Sequence, residues 1–138
     1  MSGRRVVFDT NIFLSAFTFG GKPEVLFEMV RAGRIQLIVS TSILAELASI
    51  LKSKFAWDDE YIREALMVVG RHAKLVKPET RLRVLKDDAD NRMLECAVEG
   101  HAEWIISGDH HLLSLKEFRG IPIVRVSDFL SKLAGHDT

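Results

Sequence analysis

The chain has one cysteine, Cys96, no long apolar run and no net charge. A single cysteine cannot close an internal disulfide, so the fold must stand on its core, and a reducing compartment suits it. No apolar stretch approaches the ~18 residues of a membrane span. The first apolar run, Val6-Val7-Phe8, meets Asp9 after three residues, far short of a secretory h-region. These absences predict a cytoplasmic protein with no membrane partner. The 19 basic and 19 acidic residues cancel. That excludes coating nucleic acid by bulk charge, but not holding a short stretch of RNA in a local groove. There is also no repeat, low-complexity tract or linker. With 138 residues, 47% of them hydrophobic, the expectation is a single domain over residues 1–138.

What is present alternates. Short, continuous, β-branched runs at Val6–Phe8, Ile35–Val39, Lys74–Val76, Trp104–Ile106 and Ile121–Val124 suit strands buried on both faces. Between them run helical stripes: Val25, Leu26, Met29 and Val30; Ile43, Leu44, Leu47, Ile50 and Leu51; Ile62, Leu66, Val69 and Val68; Met93, Leu94, Ala97 and Val98. Gly20-Gly21-Lys22-Pro23 reads as a loop leading into a helix, since proline suits the first turn. Ser127-Asp128-Phe129-Leu130 reads as a capped last helix. The pattern predicts an α/β fold, a mainly parallel sheet with helices on both faces. Two successive helices, about 42–54 and 58–72, break the alternation and suggest a helical hairpin.

Four acids stand where such a fold places active sites. Asp9 follows the first strand and Asp109 follows Trp104-Ile105-Ile106-Ser107-Gly108. Carboxylates at strand ends point into the crevice where open α/β sheets bind ligands. Asp90 opens an apolar helical segment, and Glu46 lies within another. Two carboxylates about 5 Å apart cost roughly 3 kcal/mol at an effective dielectric near 20, and a hard divalent cation would relieve them. Asn11 is placed to bond a carboxylate or a metal-bound water, and the Ser107 hydroxyl to orient one. The plain alternatives are equally physical. Asp9 suits a helix cap, Glu46 a solvent-facing helix position, and Asp90 with Asp87 and Asp88 the favourable end of a helix dipole. His110 and His111 lack partners at zinc spacing and read as surface or supporting groups. Cys96 reads as core packing beside Met93.

Metal-assisted phosphodiester hydrolysis is the leading reading. An aspartate-based phosphatase also starts from a strand-end Asp, but wants a second acid where Asn11 stands. A receiver domain wants a lysine after a late strand, for which Lys116 is the candidate. The fold could also serve as a binding module without cleavage.

Taken together, Val7-Phe8-Asp9-Thr10-Asn11-Ile12-Phe13-Leu14-Ser15-Ala16, Ser42-Ile43-Leu44-Ala45-Glu46-Leu47, Asp88-Ala89-Asp90-Asn91-Arg92-Met93-Leu94-Glu95-Cys96-Ala97 and Ile106-Ser107-Gly108-Asp109 resemble the PIN-domain ribonucleases, in particular the VapC-type toxins of toxin–antitoxin systems. The resemblance runs from Arg5 to about Leu130. It implies a PIN-like five-stranded sheet in the order 3-2-1-4-5 and an endoribonuclease dependent on Mg²⁺ or Mn²⁺. It implies an acidic quartet of Asp9, Glu46, Asp90 and Asp109, with Asp9, Asp90 and Asp109 holding metal and Asn11 and Ser107 in support. It also implies an RNA substrate, a cognate antitoxin and a homodimer. The family often has an Asp where this chain has His111.

Overall fold

The computed structural model describes residues 4–136. Strand β1, Arg4–Phe8, is central, with Val6, Val7 and Phe8 almost wholly buried. It pairs in parallel with β2, Ile35–Ser40, on one side and with β4, Trp104–Ile106, on the other. Beyond β2 lies β3, Ala73–Val76, also parallel. Beyond β4 comes β6, Ile121–Val124, parallel to it. The apolar runs are strands because both faces of the parallel sheet are covered.

The expected five-stranded order 3-2-1-4-5 needs a correction. The sheet has six strands in the order β3-β2-β1-β4-β6-β5. The extra strand, β5, is only Glu117–Phe118, antiparallel to β6 at the sheet's edge. Arg119 and Gly120 join the two with φ of 51° and 81°. Positive φ at both central residues is the hairpin turn whose twist matches its strands. Two residues are too few to show any periodicity, so the composition gave no sign of this strand. The fold class is unchanged.

Seven helices complete the described chain: α1 Thr10–Thr18, α2 Lys22–Arg31, α3 Thr41–Ser53, α4 Asp59–His72, α5 Asp88–Glu99, α6 His110–Ser114 and α7 Val126–His136. The expected consecutive pair is α3 and α4, each end within a residue of its expected place. α7 starts one residue before the expected cap, Ser127. In α2 the buried face is Leu26, Phe27 and Val30, while Val25 is 52% exposed. Phe27 packs edge-on against Phe13 and Phe17 of α1. That aromatic cluster rotates the helix away from the stripe read from sequence. α5 buries Met93, Leu94, Cys96 and Ala97 as expected. Burial pushes the Cys96 thiol up to about 12, which leaves it inert. α5 ends close to β2, where a Cβ on Gly100 would lie 2.5 Å from the Ile38 Cγ2.

The strand order reverses at β1, whose neighbours lead outwards to β2 on one side and β4 on the other. In such sheets the crevice at the carboxyl ends of the strands flanking that point is the ligand site. The residues that follow β1 and β4 are Asp9 and Ser107.

Candidate active site

Asp9 is both a helix cap and a buried anion. Its Oδ1 accepts the Asn11 backbone N–H at 3.1 Å, capping α1. Its Oδ2 accepts the Ser107 hydroxyl at 2.6 Å, in surroundings where Asp9 is 7% exposed and Ser107 fully buried. Ser107 Oγ in turn accepts the Asp109 N–H at 2.9 Å. One hydroxyl therefore fixes the ends of β1 and β4 to each other. Burial raises the Asp9 pKa, the Ser107 and Asn11 bonds partly offset it, and the charges of Asp109 and Asp87 raise it further.

Asp109 caps α6, accepting the N–H groups of His111 at 2.7 Å and Leu112 at 3.3 Å through Oδ1. Asp90 has no such cap role. It lies in the first turn of α5, where Asp87 is the cap and accepts the Ala89 N–H at 2.9 Å. Asp90 is 5% exposed, and its Oδ2 is buried with no hydrogen-bond partner. Its pKa is pushed up to about 7, first by burial, then by Asp109, Asp87 and Asp9, with His111 easing it. Glu46 is half-buried on α3 and is also raised, by burial and then by Asp87 and Asp9.

All four quartet positions therefore face one region at the carboxyl end of the sheet. Asn11 contributes its backbone N–H to Asp9, and its side chain is exposed. Two further residues belong to the same region. Asp87 raises Asp9, Glu46 and Asp90 alike, though its cap position hid it among the ordinary helix-start acids. His111 eases Asp90 and, with Leu85, Lys86 and Asp87, lines a cavity of about 370 Å³. Its signals in the sequence were its place two residues after the strand-end Asp109 and the Asp that the family often has at its position. Roomier cavities of about 550 and 590 Å³ lie elsewhere, lined by Trp57 and Tyr61 in one and by Arg5 and Glu103 in the other. Neither contains a quartet residue, so space and chemistry part company here.

A metal can be tested against these residues. Among the described residues no group of three or more His, Cys, Asp or Glu forms a ready-made cage. Magnesium seldom needs one, since it keeps several waters and takes one or two carboxylates directly. The donors are hard oxygens, the acids raise one another's pKa, and Asp90 Oδ2 is buried without a partner. No ion pair among the described residues neutralises them. An oxygen-ligated divalent cation fits that unmet charge.

An α/β sheet with carboxylates gathered at its switch point is an arrangement that several α/β families share, hydrolases and binding domains among them. The comparisons narrow the class. A PIN-domain family model matches residues 5–111, and the chain belongs to the PIN-domain family. An uncharacterized protein of Methanocaldococcus jannaschii, MJ1680, is 30% identical over 118 residues, covering 82% of this chain and 76% of that protein. The fold is shared with VapBC2 from Rickettsia felis, solved bound to a DNA fragment from their promoter. The TM-score there is 0.61 at 14% identity, over 86% of this chain and 96% of the other. PAE2754 from Pyrobaculum aerophilum also has a TM-score of 0.61 at 14% identity, over 96% of this chain and 90% of the other.

Proposed function

We propose that this PIN-domain protein is a cytoplasmic endoribonuclease dependent on Mg²⁺ or Mn²⁺, acting as the toxin of a toxin–antitoxin pair. The observation that carries the reading is Asp90: a buried carboxylate oxygen without a partner, among acids that raise one another's pKa. A helix cap does not explain it, because Asp87 already caps α5. Asp9, Asp90 and Asp109 would hold the ion. Bound there, it would acidify water and stabilise charge on the scissile phosphate.

The protein's own groups do the rest. Ser107 holds Asp9 in one orientation through its hydroxyl. Glu46, half-buried and raised by burial and then by the charges of Asp87 and Asp9, would accept a proton from the attacking water as the general base. With a cation held there, the mutual repulsion that raises these pKa values would be relieved and the acids would ionise. RNA rather than DNA as substrate rests on the family, since none of these groups needs a 2′-hydroxyl.

The likeness to a chain of a VapBC complex supports a cognate antitoxin as partner, and the family supports a homodimer. Among the described residues no helix is long and apolar enough to cross a membrane.

The test is cleavage of a labelled RNA with Mg²⁺ or Mn²⁺, against EDTA and against Asp90→Asn, with a phosphomonoester as a second substrate. Metal-dependent scission of the RNA, lost in the variant, is the expected result. Phosphomonoester turnover without RNA scission would replace this reading with a phosphatase. No turnover of either substrate, with no metal bound, would leave a binding module.

A further inference from the structure

The connection between β3 and α5 concentrates charge that cancels elsewhere. Residues 77–86 include Lys77, Arg81, Arg83 and Lys86 against one acid, Glu79, and all four cations are exposed. Among the described residues none of the four is in an ion pair. A solvated loop would account for this composition, but not for the way the segment is held.

Its backbone is fastened by side chains of α5. Asn91 is 1% exposed, and its Oδ1 accepts the N–H groups of Val84 at 3.0 Å and Leu85 at 2.8 Å. Its Nδ2 donates to the Leu85 carbonyl at 2.8 Å. Glu95 Oε2 accepts the Leu82 N–H at 2.7 Å, and Arg92 Nη2 donates to the Leu82 carbonyl at 3.1 Å. Arg92 and Glu95 pair at 2.7 Å with side chains 11% and 5% exposed. Buried charges are costly unless fully satisfied. Here a buried pair, its Arg92 Nε left without a partner, and a buried amide are engaged in holding a stretch without regular structure of its own, whose cations are in no ion pair among the described residues.

Both ends of the segment line cavities at the carboxyl end of the sheet. Lys86 shares the 370 Å³ cavity with Asp87 and His111. Lys77 and Arg81 line another of about 260 Å³ with Ser40, Thr41 and Ser42, where β2 passes into α3, and with Glu79 and Glu95, the latter already paired with Arg92. A phosphate approaching the acids would be repelled by them. Lys86 beside Asp87, with the other unpaired cations of the same segment, would offset that repulsion.

We infer that residues 77–86 form a basic strap that binds the phosphodiester backbone of a single-stranded polynucleotide and leads it to the acidic site, with Asn91, Arg92 and Glu95 as positioning residues. A single strand fits a narrow row of cations on a neutral protein, where a duplex would need a broader basic face. The direction of the track rests on the nuclease reading, while binding itself does not require cleavage.

The test is fluorescence anisotropy of the full chain with a labelled single strand of about 15 nucleotides, as RNA and as DNA of the same sequence. EDTA keeps cleavage out of the measurement. At about 0.7 counterions released per phosphate contact, four contacts weaken binding roughly 50-fold between 50 and 200 mM salt, and two contacts about 7-fold. Wild type should show the steeper dependence. Arg81→Gln/Arg83→Gln and Lys77→Gln/Lys86→Gln should each show the shallower one with an unchanged melting temperature. If one double variant fails to fold, the other carries the same reading. Equal losses on RNA and DNA, or a larger loss on RNA, both support the strap. Wild-type affinity and slope in both variants would overturn it, as would tighter binding of poly-glutamate than of RNA of equal charge. Strap-dependent binding by a wild type that cleaves nothing with Mg²⁺ would overturn the nuclease reading and leave the strap standing.

Discussion

At the amino end of the sheet, Arg5 and Glu103 settle their charges against each other. The Arg5 backbone N–H donates to Glu103 Oε1 at 3.0 Å, its Nε donates to the His101 carbonyl at 2.8 Å, and the two side chains pair while about half exposed. At the carboxyl end, Asp9 and Asp90 are buried, Glu46 is half-buried, and each acid raises the pKa of another or is raised by one. The amino-end cavity is the larger of the two, about 590 against 370 Å³. Space therefore does not mark the site. Charge left uncompensated inside the protein does, because a fold keeps such charge only where something else relieves it.

The sharpest way to break this contrast is Asp90→Asn. Cleavage should fall by more than about 100-fold, since even the outer partners of metal ligands are worth about 10–100-fold. The metal-free protein should be no less stable at pH 8, because a repelled anion has been removed. Melting below wild type would make Asp90 structural and dissolve the contrast.

A pH series without metal sharpens it. The folded pKa of Asp90 is about 7, above the unfolded value near 3.9, and Asp9 and Glu46 are raised in the same direction. The folded protein thus holds protons that the unfolded chain releases. The resulting stability is full below about pH 4 and is lost as pH rises through about 7. Calorimetry in EDTA should show the melting temperature falling from pH 5 to pH 8. Millimolar Mn²⁺ should restore most of it at pH 8, and Asp90→Asn should flatten the slope. A flat wild-type profile would mean that the acids are already compensated.

Ser107→Ala probes the hydroxyl shared by Asp9 and the Asp109 backbone. Leaving a buried carboxylate oxygen unsatisfied should cost about 1–3 kcal/mol, measured by urea unfolding, with metal affinity falling roughly 10–100-fold. Ser107→Thr should recover most of both. Gly100→Ala tests packing away from the acids. Its Cβ would meet the buried Ile38, so a loss of about 1–3 kcal/mol is expected with metal affinity unchanged. The smallest effect belongs to the amino end. Glu103→Gln breaks a half-exposed pair and should cost less than about 1 kcal/mol, with activity intact.

Much of this is legible in the sequence. Val6–Phe8, Ile35–Val39 and Trp104–Ile106 read as strands because a parallel sheet covered on both faces demands unbroken apolar runs. Asp9 and Asp109 were legible because they end such runs. Glu46 stood out mainly through its family resemblance, since a glutamate on a helix is usually solvated. β5 stayed hidden because two residues carry no period. Asp87 was hidden by being a good cap. The 77–86 segment is silent in the sequence because its cations cancel in the whole-chain sum, and because Asn91 acts on backbone groups six and seven residues earlier in the chain. A side chain's pull on distant backbone leaves no trace in hydropathy.

The small hairpin at the sheet's edge also bears on how copies of the chain can meet. An exposed strand edge invites another strand to pair with it, and short edge strands, lysine and proline discourage that. Here β5 is two residues long, Pro122 sits opposite Glu117, and Lys74 is exposed on β3 at the other edge. The hairpin edge offers little to extend, and Lys74 blunts the β3 edge beside the half-exposed Leu75. Were two copies of the chain to associate, helix faces, where side-chain shape selects the partner, would serve them better than backbone pairing, which any extended chain could satisfy.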